Sequence, residues 1–184
     1  MAGFAESVQL FVDKAKANAD EVVRVTGLKM LARLIQLSPV GNPELWASNT
    51  GAVAIRDAQA AANAARRQAG KRSVRKLPKG AAIRAPKGYT GGRFRGNWQV
   101  GFDRSPQGET GRTDKAGAET MAAGAAVLAQ FKAANNSVIY FVNNVPYAVR
   151  LEFGYSKQAP RGMVRITAQE FQKLFNEAAK QVNQ

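Results

Sequence analysis

From Phe4 to Leu37 the apolar residues Phe4, Val8, Phe11, Val12, Ala15, Ala19, Val22, Val23, Met30, Leu31, Leu34 and Ile35 recur mostly at steps of three and four. That spacing places them on one stripe of a long amphipathic helix. Ser38-Pro39 ends it, because the residue before a proline is pushed out of the helical region. Gly27 interrupts the stripe at a cost of about 1 kcal/mol relative to alanine and predicts a kink or a split into two helices. A helix of this length with one apolar side must lie across a sheet or against a neighbouring subunit.

Residues 39–51 read as a loop from Gly41, Asn42, Pro43 and Gly51. Trp46 within it is either a cover over the core edge or an anchor at a subunit interface. Residues 52–70 are alanine-rich and helical by propensity, with a thin apolar face. Residues 71–88 carry basic residues every two or three positions with proline and glycine between, which reads as a loop or extended arm. Residues 89–103 begin at a glycine turn and continue as a strand, with Phe94, Trp98, Val100 and Phe102 on one face. Thr113 is placed to cap a helix from Asp114 to Ala133, whose expected apolar face is Ala118, Met121, Ala122, Ala125, Leu128 and Phe131.

The stretch Ser137–Thr167 is dense in structural signals. Val138–Val142 is a β-branched and aromatic run, hence a strand, and Asn143-Asn144 turns the chain. Pro146 suits the first position of a short amphipathic helix bearing Tyr147, Val149, Leu151 and Phe153, ended by Gly154. A loop with Ser156, Lys157 and Pro160 follows. Thr167-Ala-Gln-Glu170 has capping-box spacing and opens, or lies in the first turn of, a last helix to about Gln181. The expected fold class is α+β: a small, mostly antiparallel sheet packed by a long N-terminal helix, a middle helix and a C-terminal helix. Residues 1–184 are expected to form a single domain with a basic insertion or arm at 52–88.

The net charge of +14 is concentrated. Residues 1–51 hold five basic and five acidic side chains, 52–95 hold twelve and one, and 96–184 hold ten and seven. The basicity belongs to one segment. In it, Arg66, Arg67, Lys71, Arg72, Arg75, Lys76 and Lys79 read either as a solvated excursion or as a face for a polyanion, with nucleic acid the obvious one. Aromatic residues occur only at its far end, Tyr89 and Phe94, so base stacking is not supported and any DNA contact would be to phosphate.

The chain has no histidine and no cysteine, which removes the commonest general base, the commonest transition-metal ligand and thiolate chemistry. Ser156-Lys157 are adjacent on a loop and point apart. Arg150 and Glu152 flank Leu151 and read as partners in subunit or intrahelix ion pairs. Gly88–Arg93 loosely resembles a phosphate loop without its lysine-serine signature. No enzyme, no cofactor and no metal site are expected. The N-terminus has no basic leader region and no stretch approaches eighteen apolar residues, so neither a signal peptide nor a membrane span is expected.

Three separated stretches, SPVGNPELW (38–46), PKGYTGGRFRGNWQVG (86–101) and IYFVNNVPYAVRLEFGYSKQAPRGMVRIT (139–167), resemble one family. It is that of the tail-completion, minor-tail-protein-Z-like and neck components of long-tailed, lambda-like bacteriophages. The resemblance implies a structural virion protein at the head–tail junction, in the tail or neck, assembled in the host bacterial cytoplasm. Its implied partners are further copies in a homo-oligomeric ring, a hexamer in preference to a dodecamer, together with other neck and tail-tube proteins. Genomic DNA would pass through the lumen, and no membrane is involved. The expected subunit interface comprises Trp46, Tyr147, Arg150, Glu152, Tyr155 and Lys157. The linker between the first two stretches is short in the family and about forty residues longer here, so the basic segment inherits no role. A tail terminator ring capping the tail tube and a free DNA-binding protein are the alternative readings.

Overall fold

The computed structural model describes residues 4–183, with side chains from Glu6 to Asn183. Residues 1–3 of the N-terminus read for a leader, and the side chain of Phe4 that begins the apolar stripe, lie outside the described residues. The architecture is α+β, and the chain divides into two compact units: residues 41–90, and the remainder.

In the larger unit, helix α1 runs unbroken from Phe4 to Leu37. Gly27 neither kinks nor splits it. Instead Gly27 is a packing hole, where a Cβ would stand 2.7 Å from Leu128 Cδ2. Ser38 stops the helix as expected, with its hydroxyl donating to Leu34 O at 2.6 Å.

A turn of helix, α3 (Arg93–Gly96), leads into strand β1 (Trp98–Phe102). The expected strand is therefore shortened, and Phe94 lies before it. Gly92 is left-handed at φ 90° and sits against the backbone of Asp114 and Lys115, and the Gly96 N–H closes on Gly92 O, which forces the helical turn. A four-residue helical turn and a strand's alternation both return Phe94 to the side of Trp98, and Phe94, Trp98 and Val100 are buried while Phe102 is half-buried.

Strand β1 pairs antiparallel with β2 (Ile139–Asn143), with Val100 opposite Phe141. Among the described residues these two strands form the whole sheet. Asp103, at φ 55°, fastens the end of the strand pair where the chain leaves β1 and returns into β2, accepting the Ser137 and Val138 N–H groups at 2.9 and 3.0 Å.

Between the strands lies α4 (Ala118–Leu128), shorter than the expected 114–133. Thr113 is exposed and is not its cap. The buried Asp114 carboxylate does that work from further back, accepting Gly117 N at 2.6 Å and both Thr120 N and Oγ1 at 2.9 Å. The buried face is Thr120, Gly124 and Leu128, rotated from the alanine face read from sequence. Gly124 lies against Leu31 and Val100, so α4 meets α1 at a point where an alanine side chain would strike Leu31.

After β2 come α5 (Ala148–Glu152), α6 (Val164–Gln169) and α7 (Phe171–Val182). The expected single last helix is two, jointed at Glu170. Thr167 sits inside α6, buried, with its hydroxyl donating to Met163 O, and does not form a capping box. α7 runs antiparallel along α1, with Asn183 beside Asn18, Glu177 beside Lys29 and Glu170 in a two-bond pair with Arg33 at 2.6 and 2.7 Å. Leu31, Leu34, Ile35, Phe94, Trp98, Val100, Leu128, Val145, Leu151 and Met163 make the core.

The smaller unit consists of two 3-10 turns (Pro43–Leu45 and Ala47–Asn49), helix α2 (Thr50–Gln68) and an irregular return segment.

Candidate functional site

The smaller unit carries the seven cations singled out by sequence, Arg66, Arg67, Lys71, Arg72, Arg75, Lys76 and Lys79, and all seven are exposed. The segment bearing most of them is stitched to α2 by side chains. Asn63 grips Val74 with both amide atoms, donating to its O at 2.9 Å and accepting its N–H at 2.7 Å. Gln59 donates to Val74 O and Lys76 O at 3.2 and 2.7 Å, and Arg66 Nε to Arg72 O at 2.8 Å. Gln59, Asn63 and Arg66 are spaced four and three apart, which puts them on one helix face. Further along, Asn49, 1% exposed, donates to Pro43 O and Arg84 O and accepts the Arg84 N–H. Trp46 is half-buried and packs edge-on against Tyr89 at 5.1 Å.

The electrostatics of this unit are one-sided. Among the described residues from 41 to 90, one ion pair forms, Arg56 with Glu44 at 2.8 Å. Among the described residues no carboxylate pairs with any of the seven cations. All seven face solvent on one unit, so their potentials add.

The second candidate surface is the corner from α5 to α6 in the larger unit. Its organiser is Glu152. The carboxylate accepts N–H groups from Met163, Val164 and Arg165 at 2.8, 2.9 and 3.1 Å, capping α6 from eleven residues away. Burial opposes its ionisation, but those three N–H groups and the Arg165 charge outweigh burial and hold the carboxyl below the usual glutamate range. The chain can close so tightly because Gly154 and Gly162 adopt φ 85° and 80°, and a side chain at either would strike backbone, Pro160 O or Glu152 O. On the outside of this corner Val149, Phe153 and Tyr155 are exposed at 67%, 73% and 79%.

Of the residues expected at a subunit interface, Arg150, Tyr155 and Lys157 are exposed. Tyr147 is half-buried, against Phe94 and with Arg93 above its ring at 5.9 Å. Glu152 is committed to the α6 cap and to Arg165 at 3.5 Å, and Arg150 forms no ion pair with it. Sequence reading passed over Gln59, Asn63 and Asn49. The available signal was the four-three spacing of the polar residues on α2.

Among the described residues no group of three or more carboxylates, histidines or cysteines could hold a metal ion, and no helix is long and apolar enough to cross a membrane. No protein-family model matches this chain, and no curated protein or solved structure matches it.

Proposed function

We propose that this chain is a structural subunit of a phage head–tail junction, a neck or tail-completion ring protein that joins head to tail and surrounds the DNA channel. The observation that supports the reading is convergence of the stretches that carry the resemblance. Ser38 Oγ accepts the Trp98 indole N–H at 2.7 Å, and Ser38 O accepts Arg95 Nη2 at 2.8 Å. Asn143 donates to Phe94 O at 2.8 Å, and Gln158 exchanges two bonds with the Val40 backbone at 3.3 and 2.9 Å. Residues 38–40, 91–101 and 139–167 thus form one bonded cluster rather than three scattered likenesses.

Exposed apolar surface supports assembly as a ring. Besides the α5 corner, Val8, Leu10 and Phe11 are exposed on the N-terminal part of α1, where Phe11, Ala15, Ala19 and Val22 line an open hollow running past the end of α7. The α5 corner is bonded to Val40, at the other end of α1. At 1.5 Å per residue, Phe11 lies about 40 Å along the helix from Ser38. Two different apolar surfaces at opposite ends of one rod suit a head-to-tail contact, which closes into a ring when the rotation permits.

Cryo-electron microscopy of the intact particle tests this. The expected result is density for this chain as a ring between portal and tail tube. Density in the capsid shell or the baseplate overturns it.

A further inference from the structure

We propose that the unit from Gly41 to Thr90 is a pre-ordered face for the phosphate backbone of duplex DNA, in which the uncharged amides of Gln59 and Asn63 act as positioning residues. The choice of DNA rests on the junction reading above. The face itself rests on geometry. A cationic segment of eighteen residues with glycine and proline is ordinarily a flexible tail, which must be ordered when it binds. Here the backbone around Arg72, Arg75 and Lys76 is already held by Asn63 on Val74, Gln59 on Val74 and Lys76, and Arg66 on Arg72. The ordering cost is met within the fold, before any partner arrives.

The chemistry of the face favours phosphate over an acidic protein surface. Residues 52–88 contain no aromatic residue. Protein interfaces are enriched in aromatics and depleted in lysine, whereas this face carries Lys71, Lys76 and Lys79 beside the exposed aliphatic Val74 and Leu77, and its four arginines suit either kind of partner. The same lack of aromatics argues against single strands, whose bases need stacking platforms. What remains is sequence-independent contact along a duplex backbone.

Fluorescence anisotropy of the full chain with a mixed-sequence duplex, at salt from 50 to 200 mM, tests the proposal. With about five phosphates engaged, the slope of log affinity against log salt is about −4.5, a loss of about 500-fold over that range. R72Q/R75Q/K76Q is expected to shrink the slope by about 3. Q59A/N63A changes no charge. It is expected to keep the slope and lose about tenfold in affinity, with helical circular dichroism retained. No duplex binding at 50 mM salt overturns the phosphate face, as does equal binding of polyglutamate. Unchanged affinity in Q59A/N63A overturns the positioning role. Native mass spectrometry of the same sample separates this from the junction reading. A monomer that binds duplex with the expected slope supports the face and counts against the ring, while a ring that ignores duplex overturns the face alone.

Discussion

Gly27 of α1 and Leu128 of α4 share one space, and the relationship is reciprocal: Gly124 of α4 receives Leu31 of α1 one helical turn away. Each helix offers a glycine hole and a leucine knob four residues apart, run in opposite directions. Alanine at Gly27 would gain about 1 kcal/mol in helix propensity. It would also press a methyl into a leucine that is fully buried and cannot swing aside. Overpacking wins, so Gly27→Ala and Gly124→Ala are each expected to lower stability by about 1–3 kcal/mol. Gly51→Ala is the contrast. It has open space around its Cβ and no positive φ, and should gain about 0.5 kcal/mol. Thermal denaturation of the three variants checks the difference in sign.

The indole of Trp98 is 3% exposed and donates to Ser38 Oγ. Ser38→Ala removes the acceptor and leaves the N–H buried without a partner. The expected loss is about 1–3 kcal/mol, read from the urea midpoint followed by tryptophan emission. Ser38→Thr, which keeps the hydroxyl, should retain most of the stability. Equal losses in the two variants would show that the bond is not the cause.

Asp114 and Glu152 make stability acid-sensitive. Burial raises both pKa values, but the N–H groups at the starts of α4 and α6, with the Thr120 hydroxyl for Asp114 and the Arg165 charge for Glu152, hold both carboxyls below their ordinary 3.8 and 4.5. A folded pKa below the unfolded one adds stability that is complete above the unfolded value and lost as pH falls through the folded value. The melting temperature is therefore expected to drop as pH falls below 4.5. Glu152→Gln should start about 1–2 kcal/mol lower and lose less with acid. A parallel pH profile in the variant would remove Glu152 from the explanation.

Asn63→Ala cuts both bonds to Val74, worth about 1–2 kcal/mol. Limited trypsin digestion reports the consequence, because cleavage follows the population of the open form. Cutting at Arg72, Arg75 and Lys76 is expected to quicken about tenfold, with no change at sites in α1. Unaltered cleavage would mean that the segment is held by something other than the Asn63 amide.

The stop of α1 at Ser38, strand β2 and the left-handed Gly154 were legible because each depends on neighbouring residues. The short reach of those rules explains what was not legible. Glu152 caps a helix eleven residues on, across a loop whose path no local pattern sets. Gly27 read as a weak point because its partner Leu128 lies in another helix, while Thr113 read as a cap because Asp114, the residue that reaches the helix start, stands beside it. On the cationic unit the charges were plain, whereas the amides that order them read as ordinary surface polar residues of an alanine-rich helix.

The ends of that unit are fastened to one another. Trp46 and Tyr89 meet edge to face, and the Tyr89 hydroxyl rests on Gly41, where any side chain would strike it. A segment whose two ends already meet demands no loop closure from the chain that hosts it. It can be gained, shortened or exchanged as a cassette while the host's helices and paired strands keep their register. Grafting residues 41–90 between equivalent positions of an unrelated helical host would carry the cationic face along intact.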